Sequence, residues 1–170
     1  MKTRTLLPLL LLLCCACASQ AQNSSSRGNA EATIKDKKIS ISYGRPALNG
    51  RDVLAQAPVG TVWRVGMNEA TEITTAGDLT VGDKELKAGK YTLWVRRTGD
   101  DAWTLAFHPK TGVWGAPPLR EGYVAELPLK LEKAANSAEQ LEITLTDVKG
   151  AGEVKIHWGT ALLRGTFSVK

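Results

Sequence analysis

The amino-acid sequence predicts an all-β fold, namely an antiparallel β-sandwich or a jelly-roll-like domain of about ten strands. Three observations predict it. Apolar and polar residues alternate with a period of two, Gly-containing breaks recur about every 8–12 residues, and sustained helical periodicity is absent. Successive side chains of a strand point to opposite faces. Each alternating run therefore provides one face for a core and one for water, as is typical of antiparallel sheets.

The first 21 residues have the composition of a secretory signal peptide. Lys2 and Arg4 supply positive charge, residues 6–13 form an apolar stretch, and residues 16–21 are mostly small. The apolar stretch is shorter than the roughly 20 residues that a membrane-spanning helix needs. We therefore expect an extracytoplasmic protein, periplasmic or secreted, with no transmembrane span after signal cleavage.

All three cysteines, Cys14, Cys15 and Cys17, lie in this signal segment. The remaining chain has none, so a disulfide framework is excluded and the fold must depend on core packing. Cys17 follows the small residue Ala16, and Cys15 has the aliphatic Leu12 three positions before it. A lipoprotein signal has an aliphatic residue three positions before the cysteine and a small residue directly before it, so each cysteine meets one of the two requirements. Both a lipid anchor at Cys17 or Cys15 and simple export remain open.

The rest of the chain predicts a short linker and one domain. Residues 22–30 are polar and predict a flexible linker, and residues 31–170 have the length of a single domain. Loss of the two signal cations lowers the formal net charge from +5 to +3. A protein with so small a net charge lacks the broad basic surface that binds nucleic acid, so we expect no nucleic-acid partner.

Seven alternating runs are the clearest strand candidates, because each places apolar residues at every second position. Two other segments, residues 50–56 and 132–140, suit single helical turns. Residues 81–84 predict a two-residue hairpin, whereas residues 98–101 and 149–152 predict slightly longer loops. The seven runs cover residues 39–43, 91–95, 103–107, 127–131, 141–145, 154–158 and 163–169.

The alternation also predicts which side chains face the core. Replacing a large aromatic member of this set with Ala should then cost about 3–5 kcal/mol of stability. The predicted core residues are Leu93, Leu105, Phe107, Leu129, Ile143, Ile156 and Phe167.

The residue types needed for catalysis are scarce. The exported chain has no Cys, the sequence has no Gly-x-Ser-x-Gly motif, and its two histidines are His108 and His157. Neither has a second ligand at metal-binding spacing, so we predict no metal site and no cofactor. His108 ends a predicted strand and points to the polar face with Thr104, which makes it the more interesting of the two.

The segment from residue 43 to residue 71 interrupts the alternation and concentrates polar groups. Arg presents a planar fork that suits a carboxylate or a phosphate, so a small anionic ligand or an envelope component is one interpretation. An ion pair that fixes a long loop is the other, with Glu69 accepting hydrogen bonds from at least one of the three arginines. The candidate ligand-binding residues are Arg45, Arg51, Arg64, Asn68, Glu69 and His108.

Motifs along this segment and beyond it resemble the domain of unknown function 2911 family. The resemblance runs from about residue 39 to residue 169, and it implies an exported bacterial protein without an assigned activity. This chain has His108 where the family pattern has Asn, which argues against a universal catalytic role at that position. The motifs are YGRP (43–46), NGR (49–51), VWRVGMNEAT (62–71), AGKYTL (88–93), WTLAF (103–107) and WG (114–115).

Three functions remain open, and the leading one is a non-catalytic binding or structural module of the cell envelope. The first alternative is a small hydrolase or isomerase that uses Glu69 together with Arg45, Arg64 and Asn68. A carboxylate that transfers protons near neutral pH needs burial to raise its pKa, whereas neighbouring arginines act in the opposite direction. The second alternative is a carbohydrate-binding module that uses exposed Trp94 and Trp114 as aromatic platforms.

Overall fold

A computed structural model describes residues 27–52, 54 and 56–170. These residues form ten strands, none of them lies in a helix, and each strand pairs antiparallel with its neighbours. The predicted all-β, antiparallel fold of about ten strands is confirmed. The strands are β1 (Arg27–Ile34), β2 (Lys37–Gly44), β3 (Val62–Trp63), β4 (Thr71–Thr75), β5 (Leu79–Val81), β6 (Lys84–Leu86), β7 (Gly89–Arg97), β8 (Trp103–His108), β9 (Ala125–Val148) and β10 (Ala151–Val169).

The strands form one sheet in the order β1-β2-β4-β7-β8-β9-β10-β5-β6, and β3 pairs with β7. The first two strands also lie against β9, which is not their neighbour in the sheet. Between these layers the hydroxyl of Tyr43 accepts a hydrogen bond from the Ile143 N–H (3.0 Å) and donates to the Ile143 carbonyl (3.3 Å). The sheet therefore curls back on itself around its core, and the choice between a sandwich and a jelly roll stays a prediction.

The start of the sheet overlaps the segment that the sequence assigns to a linker. β1 begins at Arg27, so residues 27–30 belong to a strand. The predicted signal peptide, including Cys15 and Cys17, lies outside the described residues. Within the described part of the chain, no segment forms an apolar helix of membrane-spanning length.

Tight turns join the local strand pairs. The predicted two-residue turn at residues 82–83 connects β5 to β6 and is confirmed. Residues 149–150 alone connect β9 to β10, with φ angles of 54° and 84°, so the longer loop predicted at 149–152 is wrong. Positive φ at both central residues matches the right-handed twist of the flanking strands, which favours the shorter connection.

β9 and β10 are much longer than the predicted strands, at 24 and 19 residues. Residues 132–140, which suit a helical turn by sequence, lie inside β9. The first part of β9 pairs with β8, and its later part pairs with β10. Within residues 132–140, β10 pairs with Glu132, Lys133 and Ala138, and residues 47 and 48 pair with Gln140 and Glu139. These tertiary contacts outweigh the modest local preference for a helix.

The predicted core is confirmed. Each of its seven members is at most 5% exposed, and all belong to one apolar cluster. A second, small cluster lies apart from it and consists of Ala70, Trp94 and Ala106. Residues from the segment between β8 and β9, including Val113 and Tyr123, pack against this second cluster. β7 therefore contributes buried side chains to two clusters, and one of them is covered by residues 109–124.

Candidate functional site

Arg51 and Arg64, two of the predicted site residues, bind backbone carbonyl groups of the loops in which they lie. The Arg51 Nε–H donates to the carbonyl of Leu48 (3.1 Å), and the Arg64 Nε–H donates to the carbonyl of Gly66 (3.2 Å). Both partners lie within three residues of the arginine along the chain. These guanidinium groups therefore satisfy backbone acceptors in irregular segments, where no ladder does so.

Arg45 connects the chain after β2 to the middle of β9. Its Nε–H donates to the carbonyl of Leu141 (3.3 Å), and its terminal nitrogen lies 3.7 Å from a carboxylate oxygen of Glu142. Like the other two arginines, Arg45 stabilises the path of the loop.

Glu69 does not pair with any of these three arginines, so the expected ion pair is wrong in its partner. Its carboxylate accepts a hydrogen bond from Arg27, the first residue of β1, at 3.0 Å. Arg27 also donates to the hydroxyl of Ser42 on β2, at 3.1 and 3.2 Å. The arginine that pairs with Glu69 therefore comes from β1, a strand that the sequence pattern does not predict.

His108 belongs to a different group of side chains. Its Nδ1 accepts the backbone N–H of Lys110 (2.9 Å), and its ring meets the edge of Tyr123 with centroids 6.1 Å apart. Among the described residues, no hydrogen bond or ion pair joins it to Glu69 or to the predicted arginines. His108 therefore fixes the start of the segment that covers Trp94 and Ala106.

A partly buried network continues from Tyr123 and was not predicted from sequence. Arg96 forms an ion pair with Glu126, and its guanidinium carbon lies 5.1 Å from the centre of the Tyr123 ring. Thr104 donates to the other Glu126 oxygen (2.9 Å). Burial raises the pKa of Tyr123, an effect that the nearby Arg96 charge opposes. The phenol therefore stays protonated at neutral pH, and it donates to the carbonyl of Leu119.

A surface groove lies beside the Arg27–Glu69 pair, and we call it the Trp114 groove. Its volume of about 420 Å³ lies within the roughly 300–1,000 Å³ range of small-molecule sites. Trp114 is 57% exposed and is the most exposed large apolar residue among those described. The groove is lined by Arg27, Ser42, Glu69, Ala70, Glu72, Gly112, Val113 and Trp114.

Backbone pairing holds Trp114 in place. It forms an isolated antiparallel bridge with Glu69, and on either side Ala70 donates to Val113 (3.0 Å) and Gly115 donates to Asn68 (2.9 Å). Residues 68–70 and 113–115 therefore form a short ribbon outside the named strands. An aromatic side chain on such a ribbon is available for contact at little cost in backbone entropy.

Glycine at position 115 lets the two halves of the ribbon approach closely. A Cβ atom there would overlap the Arg64 side chain and would lie 2.9 Å from the Asn68 carbonyl oxygen. Of the six predicted site residues, Glu69 lines the groove, while Asn68 and Arg64 lie against Gly115, the residue that follows Trp114. Arg45, Arg51 and His108 are not among its lining residues.

A larger cleft, of about 790 Å³, lies beside β9 and β10. Two cations, Lys130 and Arg164, line it, and Arg164 forms ion pairs with Glu132 and Glu153, each at 3.4 Å. Its exposed apolar residue is Leu131, which is 37% exposed and offers no aromatic ring. The Trp114 groove therefore combines aromatic surface with polar groups in a way that the larger cleft does not.

The exposure of the Arg27–Glu69 pair sets the expected result of removing it. Their side chains are 33% and 56% exposed, so the large loss expected for a buried pair does not apply. We predict that Glu69→Ala lowers the free energy of unfolding by at most about 1 kcal/mol, as for other surface ion pairs. Chemical denaturation beside Glu31→Ala, which removes another exposed pair, would test this; a loss above 3 kcal/mol, roughly that of a broken buried pair, would contradict it.

These features define a class of protein: a single-sheet, all-β domain with an open polar groove beside an exposed tryptophan. Within that class, the chain belongs to the family described as protein of unknown function (DUF2911), whose model matches residues 25–166. The resemblance seen in the sequence motifs is therefore confirmed. Comparison with curated proteins and with solved structures gave no match.

Proposed function

We propose that this protein is an exported, non-catalytic module of the cell envelope that binds a ligand in the Trp114 groove. The observation that carries the proposal is the exposed indole of Trp114, held by backbone pairing beside the Arg27–Glu69 ion pair. A large aromatic surface that is already ordered before binding loses little conformational entropy when a ligand covers it. Aromatic residues are also enriched among those that dominate binding energies.

The carboxylates of the groove support binding better than proton transfer. Glu69 is engaged by Arg27, and Glu72 lies 3.5 Å from Lys90 and accepts the Gly112 N–H at 2.7 Å. A general acid or base needs a protonation state matched to neutral pH, which enzymes usually achieve by burial. The side chain of Glu69 is exposed and so lacks such burial. The hydrolase alternative also requires Arg45 beside Glu69, whereas Arg45 lies beside Glu142.

The proposed export rests on the composition of the N-terminal segment. If Cys17 carries a lipid, the length of chain between Cys17 and β1 limits how far the domain lies from the membrane. Nine residues, 18–26, separate Cys17 from the start of β1. A fully extended chain spans at most about 3.3–3.6 Å per residue, so this segment reaches about 30 Å. Because Arg27 lines the Trp114 groove, a lipid at Cys17 would keep that groove close to the membrane surface.

Cell fractionation tests export. We expect the processed protein outside the cytoplasm, and we expect a Leu10→Arg, Leu11→Arg variant to stay inside at full length, because charge disrupts the apolar signal segment. Mass spectrometry of the mature N-terminus then distinguishes a lipid-modified Cys17 or Cys15 from an unmodified start at Gln22. Unprocessed protein in the cytoplasm would overturn the proposed location.

Nuclear magnetic resonance of the isotope-labelled, processed protein tests the groove. The chain has five tryptophans, so the four other indole N–H signals serve as internal controls. Fractions of the cell envelope, separated into polysaccharide and phospholipid, should shift the Trp114 signal and leave that of the buried Trp94 unchanged. If no fraction shifts the Trp114 signal, the groove is not a binding site for envelope components.

A further inference from the structure

The Trp114 groove has the electrostatics of a site for an uncharged ligand. Arg27 faces Glu69 at 3.0 Å, and Glu72 faces Lys90 at 3.5 Å. Each charge that lines the groove therefore has an opposite charge beside it. An anionic ligand would have to compete with Glu69 for Arg27, and two carboxylates would repel it. The small anionic ligand expected from the three-arginine cluster does not suit this surface.

The same groups offer hydrogen bonds of both kinds. Arg27 presents N–H donors, and the carboxylates of Glu69 and Glu72 present acceptor oxygens. The Ser42 hydroxyl oxygen already accepts two N–H groups of Arg27, so it offers a ligand its donor. Hydrogen bonds that involve an ionised group are the stronger ones, even when the partner is neutral. A ligand with many hydroxyl groups matches such a surface, because every hydroxyl both donates and accepts.

The indole supplies the apolar part of the site. The face of an aromatic ring is negative, so it attracts the slightly positive C–H bonds of an apolar surface. A pyranose ring has such C–H bonds on one face and hydroxyl groups around its edge. Trp114 borders the groove while Arg27, Ser42 and Glu72 line it, so a sugar stacked on the indole can direct its hydroxyl groups towards them.

We propose that the ligand of the Trp114 groove is a neutral carbohydrate chain. This inference rests on the proposed binding function and names its ligand class. One sugar ring stacks on Trp114, and its hydroxyl groups bond to the Arg27–Glu69 pair and to Glu72. The expectation that Trp94 is a second exposed platform is wrong: its side chain is fully buried against the segment 109–124 and takes no part. Since no net charge is neutralised, binding is insensitive to salt.

The experiment is a titration of the processed protein with cellopentaose, maltopentaose, laminaripentaose and chitopentaose, followed by the Trp114 indole signal. Parallel titrations use inorganic phosphate and anionic phospholipid vesicles. At least one saccharide should shift the signal, with an affinity that changes less than about twofold between low and high salt. Isothermal titration calorimetry gives the affinities of wild type and of the Trp114 variants, which lack this indole signal. Trp114→Ala should weaken that binding at least about tenfold, because it removes the aromatic anchor.

The controls separate stacking from a general effect of the mutation. Trp114→Phe keeps an aromatic face and should retain part of the affinity. Val124→Ala removes an exposed apolar side chain from the same covering segment, outside the groove, and should bind like wild type. Equal saccharide affinity in wild type and Trp114→Ala would overturn the inference.

The remaining outcomes distinguish the two proposals. Shifts with phosphate or vesicles but with no saccharide would overturn the carbohydrate inference and leave the groove as a binding site. No shift with these probes or with any envelope fraction would overturn both.

Discussion

Replacing Phe107 with Ala is expected to lower the free energy of unfolding by about 3–5 kcal/mol. Phe107 lies in β8, is fully buried, and meets the ring of Tyr91 edge-on with centroids 6.5 Å apart. Its removal takes apolar surface out of the core and leaves a cavity that the surrounding strands can close only in part. A loss of this size is a large share of the total stability of a typical domain.

Urea denaturation followed by circular dichroism measures this loss. Phe167→Ala, in β10, should give a similar result, because this ring is also buried and closely covers Gly152. Val148→Ala is the control: its side chain is exposed, so its effect should stay within about 0.5 kcal/mol. A loss below about 1 kcal/mol at both phenylalanines, roughly that of a mild substitution, would contradict the burial of the two rings.

The core could be predicted because its inward positions carry large apolar side chains. In the later part of β9, for example, the inward Leu141, Ile143 and Leu145 alternate with exposed Glu142 and Thr144, so hydropathy and burial have the same period. The same is true of the early part of β2. Where large and polar residues alternate in this way, only one choice of face buries the apolar set.

β1 could not be predicted in the same way, because three of its four inward residues are small and only the last, Ile34, is large. Gly28, Ala30 and Ala32 are more buried than their neighbours, yet none is strongly apolar. Space explains the choice at Gly28, where a Cβ atom would overlap the ring of Tyr43. The period of two is therefore present in the structure of β1 but barely visible in its hydropathy.

This failure explains why the candidate site was only partly predicted. The sequence placed Glu69 beside arginines that are near it along the chain, whereas the actual partner, Arg27, is 42 residues away. The nearby Arg64 donates instead to a carbonyl of its own loop, where Val65 and Asn68 have positive φ angles. In irregular backbone, local carbonyl groups compete for a guanidinium, and sequence distance cannot show which acceptor is chosen.

Two tryptophans of the same chain are expected to respond in opposite ways to replacement by Ala. Trp94 is fully buried, and its indole N–H donates to the hydroxyl of Thr92 at 3.0 Å. Thr92 in turn donates to the carbonyl of Lys110 at 3.0 Å, so this pair connects β7 to the covering segment. Trp94→Ala should therefore lower the free energy of unfolding by about 3–5 kcal/mol.

Trp114→Ala should lower it by no more than about 0.5 kcal/mol, because an exposed side chain leaves no cavity and the supporting bonds are made by the backbone. Thermal and urea denaturation of both variants beside wild type make the comparison. Hydrogen exchange adds a second measurement. Amide protons of residues 109–124 should exchange faster in Trp94→Ala, because this variant loses the apolar cluster that these residues cover. Their exchange rates should be unchanged in Trp114→Ala. A strongly destabilised Trp114→Ala would mean that its indole is structural, and its exposure could then no longer be read as a sign of ligand binding.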